Sequence, residues 1–563
     1  MTSDQTRGDL AWWKRTTVYQ VYPRSFADLN GDGIGDIRGL IDRLDYLKWL
    51  GVETIWLSPF FRSPQADFGY DISSHFDIAP EYGSREDCRQ LIDEIHSRGM
   101  KIVLDMVLNH TSDEHPWFLE SRSTRESPKR DFYIWRQGRR SKGGAPPNNW
   151  RSILGGSGWH YDEATDQWYW ASFLPFQPDL NYRNPVVKQA MLDVVRYWLR
   201  EGADGLRLDV FNAIHKDASF ANNPFSLRPF PSAENPDGFF QRALHTQNHP
   251  DTFTFARELR AVVNEFHDPP RFVIGEVFGA TELLRNYCGP ADDGLHLVFL
   301  FKSLKASFKA PSFRKLIGEF ESAFPDPLQP TYVFGNHDRP RSMERLRNDP
   351  AKARLLAAFQ FTVRGVPFLY YGDELGLSHH HGMTLREAQD PVARRYGFLP
   401  AFLLPLLRQR GILVNRDECR SPMPWDSGPH GGFSPPETAA TWLPIHPQSA
   451  LVNVAAQRHD PRSVLASYKR MIQLRRSSPA LSAGSMELIE TGIQSHRVLA
   501  YRRRHDRETA SVYLNFSRRH ISLDLGEMTG TRLHSNLHDT WETAKASYSL
   551  RPWEAIVVIQ DTR

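Results

Sequence analysis

Eight short β-rich runs punctuate the chain up to about residue 374, each ending in polar residues and followed by a helical stretch. They read TTVYQVYP, VETIWLSP, KIVLDMVLNH, DGLRLDV, RFVIGEV, LHLVFLF, TYVFGNHD and VPFLYYGDE. Parallel strands need a crossover between them, and a helix is the usual one. Eight such units predict an α/β fold, a (β/α)8 TIM barrel. Between the second and third runs, SREDCRQLIDEIHSRGM carries a Ser N-cap, an acidic first turn and a Gly stop. Two connections exceed a plain loop. The stretch 109–175 follows the third strand, is rich in Trp, Gly and Pro, and is expected to form a separate small lobe. The other, 214–270, separates the fourth and fifth strands. After SVLASYKRMIQLRR the pattern turns to short alternating runs such as RVLAYRRR, ETASVYLNF and AIVVIQ, which predict an antiparallel β domain. The expected plan is a barrel over 1–108 and 176–481, an inserted lobe over 109–175 and a C-terminal β domain over 482–563.

Composition narrows the function classes. The formal charge is only +3 over 563 residues, with both signs interspersed, which excludes a nucleic-acid stripe or a polybasic membrane patch. Cys88, Cys288 and Cys419 lie far apart with no C-x-x-C pattern, so a reduced, cytoplasmic setting is expected. The opening MTSDQTRGDLAWWKRTT has no apolar leader core, and AFLLPLLRQRG is too short to span a bilayer. The 15 Trp and 19 Tyr fit sugar stacking, although rings also fill cores.

The strand ends carry the chemistry. In such barrels reactive residues gather at the C-terminal ends of strands. Asp105 and His110 follow the third strand, Arg207 and Asp209 the fourth, Glu276 the fifth, and His337 with Asp338 the seventh. Arg207 and Asp209 are two apart and project to one side. A lone carboxylate here would be a solvated loop residue. Several together repel and raise one another's pKa, a costly arrangement that marks an active site.

GLRLD, GEV, GNHD, DMVLNHTS and QPDLN resemble the ordered short regions of the α-amylase superfamily, glycoside hydrolase family 13, in its α-glucosidase and oligo-1,6-glucosidase branch. The resemblance runs from WWKRTTVYQVYPRSFADLNGDGIGD through RDECRSPMPWD into the C-terminal domain. It implies that Asp209 is the nucleophile of a covalent glucosyl-enzyme and Glu276 the acid/base. Retention of configuration needs the two about 5–5.5 Å apart. The charges of Asp209 and Asp338 would keep Glu276 protonated at the start. Asp338 is implied as the carboxylate gripping the 2- and 3-hydroxyls, with Arg207 keeping Asp209 ionised and Asp105 bracing Arg207. His110 and His337 resemble sugar-hydroxyl donors. Asp67 and Tyr70, in SPQADFGYDI, match residues that hold the 4- and 6-hydroxyls and stack at subsite −1, with Phe173 and Gln177 alongside. One of Arg416 and Arg420, in RDECR, is expected to pair with Asp67 and close the pocket. The sequence does not choose between them, and Arg416 is favoured.

DLNGDGIGD places Asp28, Asn30, Asp32 and Asp36 at the first, third, fifth and ninth positions of a calcium loop, but the twelfth is Gly39, so this is no EF-hand. The resemblance implies a structural Ca2+ or Mg2+ on those side chains and the Ile34 carbonyl; a metal-free Asx-rich turn is the alternative. No organic cofactor is expected, since G-x-G-x-x-G is absent. His379, His380 and His381 read as a polar acceptor-side loop, because adjacent histidines point apart and a zinc site needs separated ligands. Ile153 and the inserts DASFANNPFSLRPFPSAENPDGFF and HHHGMTLREAQD depart from the family on the acceptor side. The expected activity is an exo-acting retaining α-glucosidase for maltose-type α-1,4 links, with glucosyl transfer to hydroxyl acceptors. Val210, after the nucleophile, resembles α-1,6-cleaving enzymes instead. The rivals are an oligo-1,6-glucosidase, a trehalose- or sucrose-isomerase type, and an inactive binding subunit, which needs a membrane anchor and usually lacks the triad. Expected partners are small α-glucosides and hydroxyl acceptors, with no nucleic acid or membrane, in a monomer or homodimer.

Overall fold

The computed structural model describes residues 10–140, 142–409 and 413–561. Residues 1–9, on which part of the leader reading rests, and 410–411 of the apolar stretch lie outside them. Among the described residues no helix is long and apolar enough to cross a membrane.

All eight predicted runs are strands: β1 (Val18–Val21), β2 (Thr54–Leu57), β3 (Lys101–Met106), β4 (Gly205–Leu208), β5 (Phe272–Gly275), β6 (Leu297–Val298), β7 (Thr331–Val333) and β8 (Val366–Tyr370). Their order in the sheet is β6-β5-β4-β3-β2-β1-β8-β7, the cyclic order of a nearly closed barrel. Every residue of β1, β2, β4 and β5 is buried, as expected of parallel strands covered on both faces. The helix Arg85–Ser97 begins with a capping box. The Ser84 hydroxyl accepts the Asp87 N–H (3.1 Å), and the Asp87 carboxylate accepts the Ser84 N–H (2.8 Å). It stops at Gly99, whose φ of +67° suits a residue without Cβ.

The chain divides into two compact units, and the division splits the barrel strands between them. The first comprises Trp56–His96 and Lys101–Phe299 and holds β3 to β6. Here Asp105 pairs in register with Arg207, and Leu208 with Gly275, which fixes the order of the polar strand ends. Within the expected lobe, strands Trp135–Arg136, Trp159–Asp162 and Gln167–Trp170 form an antiparallel sheet over a core of Ile134, Trp150, Trp159 and Trp170. After β4 comes a 3-10 turn, Phe211–Ala213, and the long connection that follows has no helix until Pro250–Val263.

The second unit comprises Met1–Ile55, Ser97–Met100 and Leu300–Arg563, and holds β1, β7 and β8. Its C-terminal part is an antiparallel six-stranded sheet between Ser485 and Asp561, with a two-stranded sheet of Ile521–Asp524 and Ser547–Leu550. Val498, Ala500, Leu533, Ile556 and Val558 fill the core between them.

Candidate active site

Arg207 organises the ends of β3, β4 and β5. Its side chain is fully buried. One guanidinium nitrogen donates to Asp105 Oδ1 (2.7 Å) and to Asp209 Oδ1 (2.7 Å), and the other to Glu276. Burial works against the cation, yet Asp105, Glu276, Tyr70 and Asp209 hold the Arg207 pKa well above the usual guanidinium value. Asp105 Oδ2 is taken by the Trp56 indole N–H (3.1 Å) and the Tyr70 hydroxyl (3.3 Å), so Asp105 is a brace. The strand ladder aims the two catalytic candidates. Asp209 N donates to Met106 O, Glu276 N to Leu208 O, and Phe211 N back to Glu276 O (2.8 Å). That last bond needs the chain to turn at once after Asp209. Val210 does so at φ 37°, ψ 47°, a left-handed conformation that is strained for a β-branched residue.

The remaining sugar-site candidates of this unit form a second network. Asp67 is buried; its N–H donates to Asp71 Oδ1 (3.0 Å) and its Oδ2 accepts from the Gln177 amide (3.2 Å). Asp71 is itself pushed up to about 6, chiefly by burial. His110 Nδ1 accepts from Asn109 Nδ2 (3.1 Å), which leaves Nε2–H to donate to the Tyr70 carbonyl (3.1 Å). Burial pushes the His110 pKa down. In this state His110 holds the Tyr70 loop in place. The Phe173 ring lies 5.4 Å from it. Beneath this pair sits the fully buried Lys216, ion-paired with Asp179 and donating to Asn109 Oδ1 (2.9 Å). The Asp179 carboxylate also takes Asn109 Nδ2 (3.1 Å) and the Ser172 hydroxyl (2.6 Å).

The second unit carries the opposite arrangement around Asp338. Its Oδ1 accepts from Arg420 (2.7 Å) and Arg416 (3.2 Å), and its Oδ2 lies 3.1 Å from His337 Nε2. Gln20 places its amide on His337 Nδ1 (2.7 Å), leaving Nε2–H to face Asp338. Burial would raise the Asp338 pKa, but His337, Arg416 and Arg420 hold it well below the carboxylate range. The two arginines differ in anchorage. Arg416 is forked onto Asp390 Oδ1 (2.7 and 3.1 Å), while Arg420 donates to the His337 carbonyl (2.8 Å) and lies over Tyr22. Both candidates thus share Asp338.

The Asp28–Asp36 loop closes on its own backbone. Asp28 accepts the N–H groups of Gly31 (2.7 Å) and Gly33 (2.8 Å). Asp36 accepts those of Leu29 and Asn30, and caps the helix Ile37–Asp42 through Gly39. Gly33, at φ +86°, abuts the Ala440 carbonyl, which a Cβ would meet at 2.1 Å, so the loop is seated on the 433–442 segment. Asp28 and Asp36 are buried, and among the described residues no lysine or arginine pairs with either. Burial lifts the Asp36 pKa, and Asp28 adds to the lift. An all-oxygen donor set with uncompensated buried carboxylates suits a hard cation. Asp32 is exposed and turned to the Asn30 amide and the Ile34 N–H, so an ion would have to draw it inward.

Within the histidine triplet the two outer members, His379 and His381, two positions apart, come together around Glu344. His379 Nε2 already accepts the Arg341 N–H (2.9 Å), so its single lone pair is used. His381 places Nε2 3.2 Å from Glu344 and Nδ1 3.7 Å from Glu418, and its pKa is pushed up to about 9, first by Glu344. Among residues the sequence did not flag, Trp56 and Asp390 matter most. Asp390 was legible only as the Asp of an Asp-Pro helix start, which it caps. Trp56 gave no signal beyond its inward place on a buried strand.

Carboxylates at the ends of neighbouring barrel strands, held by one buried guanidinium, define a glycoside hydrolase or transferase of the barrel type. The chain belongs to the α-amylase family, whose catalytic-domain model matches residues 20–484. It is 38% identical over 529 residues to a probable α-glucosidase of Rhizobium meliloti, covering 92% of this chain and 91% of that one. It is 36% identical over 578 residues to an oligo-1,6-glucosidase of Halalkalibacterium halodurans, covering 97% and 99%. Among solved structures, the α-glucosyl transfer enzyme XgtA superposes with a TM-score of 0.85 at 33% identity, covering 98% of this chain and 100% of that one.

Proposed function

We propose that the protein is an exo-acting, retaining α-glucosidase that cleaves terminal glucose from maltose-type α-1,4 glucosides and passes it to water or to another hydroxyl. The carrying observation is the sharing of Arg207 by Asp209 and Glu276, which fits the close spacing of about 5–5.5 Å that retention requires. Asp209 attacks the anomeric carbon as the glycosidic C–O bond breaks; Glu276 delivers a proton to the leaving oxygen. The glucosyl ester is then opened by a hydroxyl whose proton returns to Glu276. Asp338 binds the 2- and 3-hydroxyls. Asp67, fixed by Gln177 and Asp71, binds the 4- and 6-hydroxyls of a terminal sugar, with Tyr70, His110 and Phe173 around it.

The linkage reading rests on the acceptor-side insert. Asn149 of the lobe exchanges hydrogen bonds with Asn223 (2.8 and 2.9 Å), and Gly279, three residues past Glu276, donates to Ala233 O (2.9 Å). The insert is therefore built against the loop that follows Glu276, which supports its reading as an acceptor-side element. A single methyl-scale difference at Val210 is worth only about 1–3 kcal/mol. The expected result is a higher kcat/KM on maltose than on isomaltose, with transfer products at high maltose. An isomaltose preference of about tenfold or more would restore the oligo-1,6 reading.

Asp28, Asn30, Asp32, Ile34 and Asp36 would hold a Ca2+ or Mg2+ that supplies stability and no step of the reaction. Chelator should lower the Tm of the wild type and leave Asp32→Ala unmoved. A Tm unchanged by chelator or by added Ca2+ and Mg2+ would leave a metal-free turn. Three free, buried cysteines support a reducing, cytoplasmic setting.

A further inference from the structure

A cleft of about 460 Å³ opens in the second unit, between the outward face of the helix Val464–Ser477 and the C-terminal β domain. That volume falls in the range of small-ligand sites. It shares no residue with the candidate active site. Lys469 and Arg470 project from successive positions of the helix, Arg458 from the end of the preceding helix Val454–Arg458, and Trp49 and Trp541 complete the walls.

The cations here are short of anions. The Arg458 guanidinium lies 4.7 Å and the Lys469 ammonium 4.1 Å from the centre of the same Trp49 ring. Among the described residues neither has a carboxylate within ion-pair distance. Arg470 is buried and engaged, donating to the carbonyls of Pro461 (2.7 Å) and Asn536 (3.2 Å) and meeting Asp539, the one acid of the lining, at 3.0 Å, so the two cations on Trp49 are the ones left without an anion. Burial first, and then the Arg458 charge, push the Lys469 pKa down, with Asp539 opposing them. His534, buried to 6% exposure in the same lining, has an Nδ1 with no hydrogen-bond partner. Cation–π contact stabilises each exposed cation by only about 0.5–1 kcal/mol and does nothing for their mutual repulsion. An oxyanion would relieve both.

We infer that this cleft binds the phosphate monoester of a small sugar, with the phosphate on Arg458 and Lys469 and the ring against Trp541. Trp541 is 44% exposed at the rim, as a stacking platform requires. Guanidinium and ammonium groups bind phosphate through short charge-assisted hydrogen bonds.

The test is calorimetric titration of the full chain with glucose 6-phosphate, inorganic phosphate and glucose. The comparison is with the double variant Arg458→Ala/Lys469→Ala. Arg458 is exposed and Lys469 half-buried, and among the described residues neither side chain has a hydrogen bond or ion pair to lose, so the variant should fold and retain wild-type kcat on an aryl α-glucoside. The expected result is glucose 6-phosphate binding that saturating glucose does not displace and that weakens at least tenfold in the variant. Displacement by glucose would place the ester in the sugar site and overturn the inference, as would equal binding by the variant or no binding at all. Inorganic phosphate binding as tightly as the ester would overturn the assignment of a sugar ester.

Discussion

Around Arg207 three carboxylates share one guanidinium, whereas around Asp338 two guanidiniums and an imidazole surround one carboxylate. The difference separates two tasks. Where anions outnumber cations, the three acids depend on one counter-charge, so a change at Arg207 reaches all of them. Where cations outnumber the anion, ionisation is fixed, as the hydroxyl-binding role proposed for Asp338 requires. Burial differs in the same sense, since the Arg207 side chain is 0% exposed and that of Asp338 28%.

Removing one cation from each cluster should break them unequally. Arg207→Gln strips three buried acids of the cation they share, a loss of about 3–5 kcal/mol. The expected effect is about a 10^2- to 10^3-fold fall in kcat. The acid limb of the pH profile should also move towards neutral, because acids that have lost their cation hold protons more tightly. Arg420→Gln leaves Asp338 with Arg416 and His337, so about a tenfold loss is expected, expressed mainly in KM. Steady-state kinetics across pH on folded variants would read both, and equal losses would break the comparison.

The smallest effect belongs to His381, between Glu344 and Glu418. Its folded pKa, about 9, is raised above the ordinary value, so its contribution is complete below about pH 6.5 and disappears as pH rises through 9. The side chain is 42% exposed, which limits the contribution to about 1 kcal/mol or less. The Tm difference between wild type and His381→Gln should therefore be present at pH 6 and absent at pH 10. A difference that grew with pH would reverse the assignment.

The barrel was legible because each strand is a buried apolar run ending in chemistry, and all eight runs became strands. β6 is shorter than LHLVFLF suggests, because Phe301–Lys305 turns into a 3-10 helix. The Asp105–Arg207 contact was also legible, since neighbouring parallel strands in register place their ends together. Three features were not. The anchorage of Arg416 on Asp390 joins residues 26 apart, across the short helices Pro391–Arg395 and Leu404–Gln409, with no periodic pattern to link them. The left-handed Val210 has no sequence signal, because a β-branched residue is the last expected at positive φ. His379 and His381 meet because loop geometry, not adjacency, sets their directions.

Covalent trapping tests the central assignment most directly. Slow aryl α-glucoside turnover by Glu276→Gln, quenched in acid and digested, should yield a peptide one glucosyl residue heavier at Asp209, with retained anomeric configuration in the wild-type product. A label on another carboxylate, or a product of inverted configuration, would contradict the account.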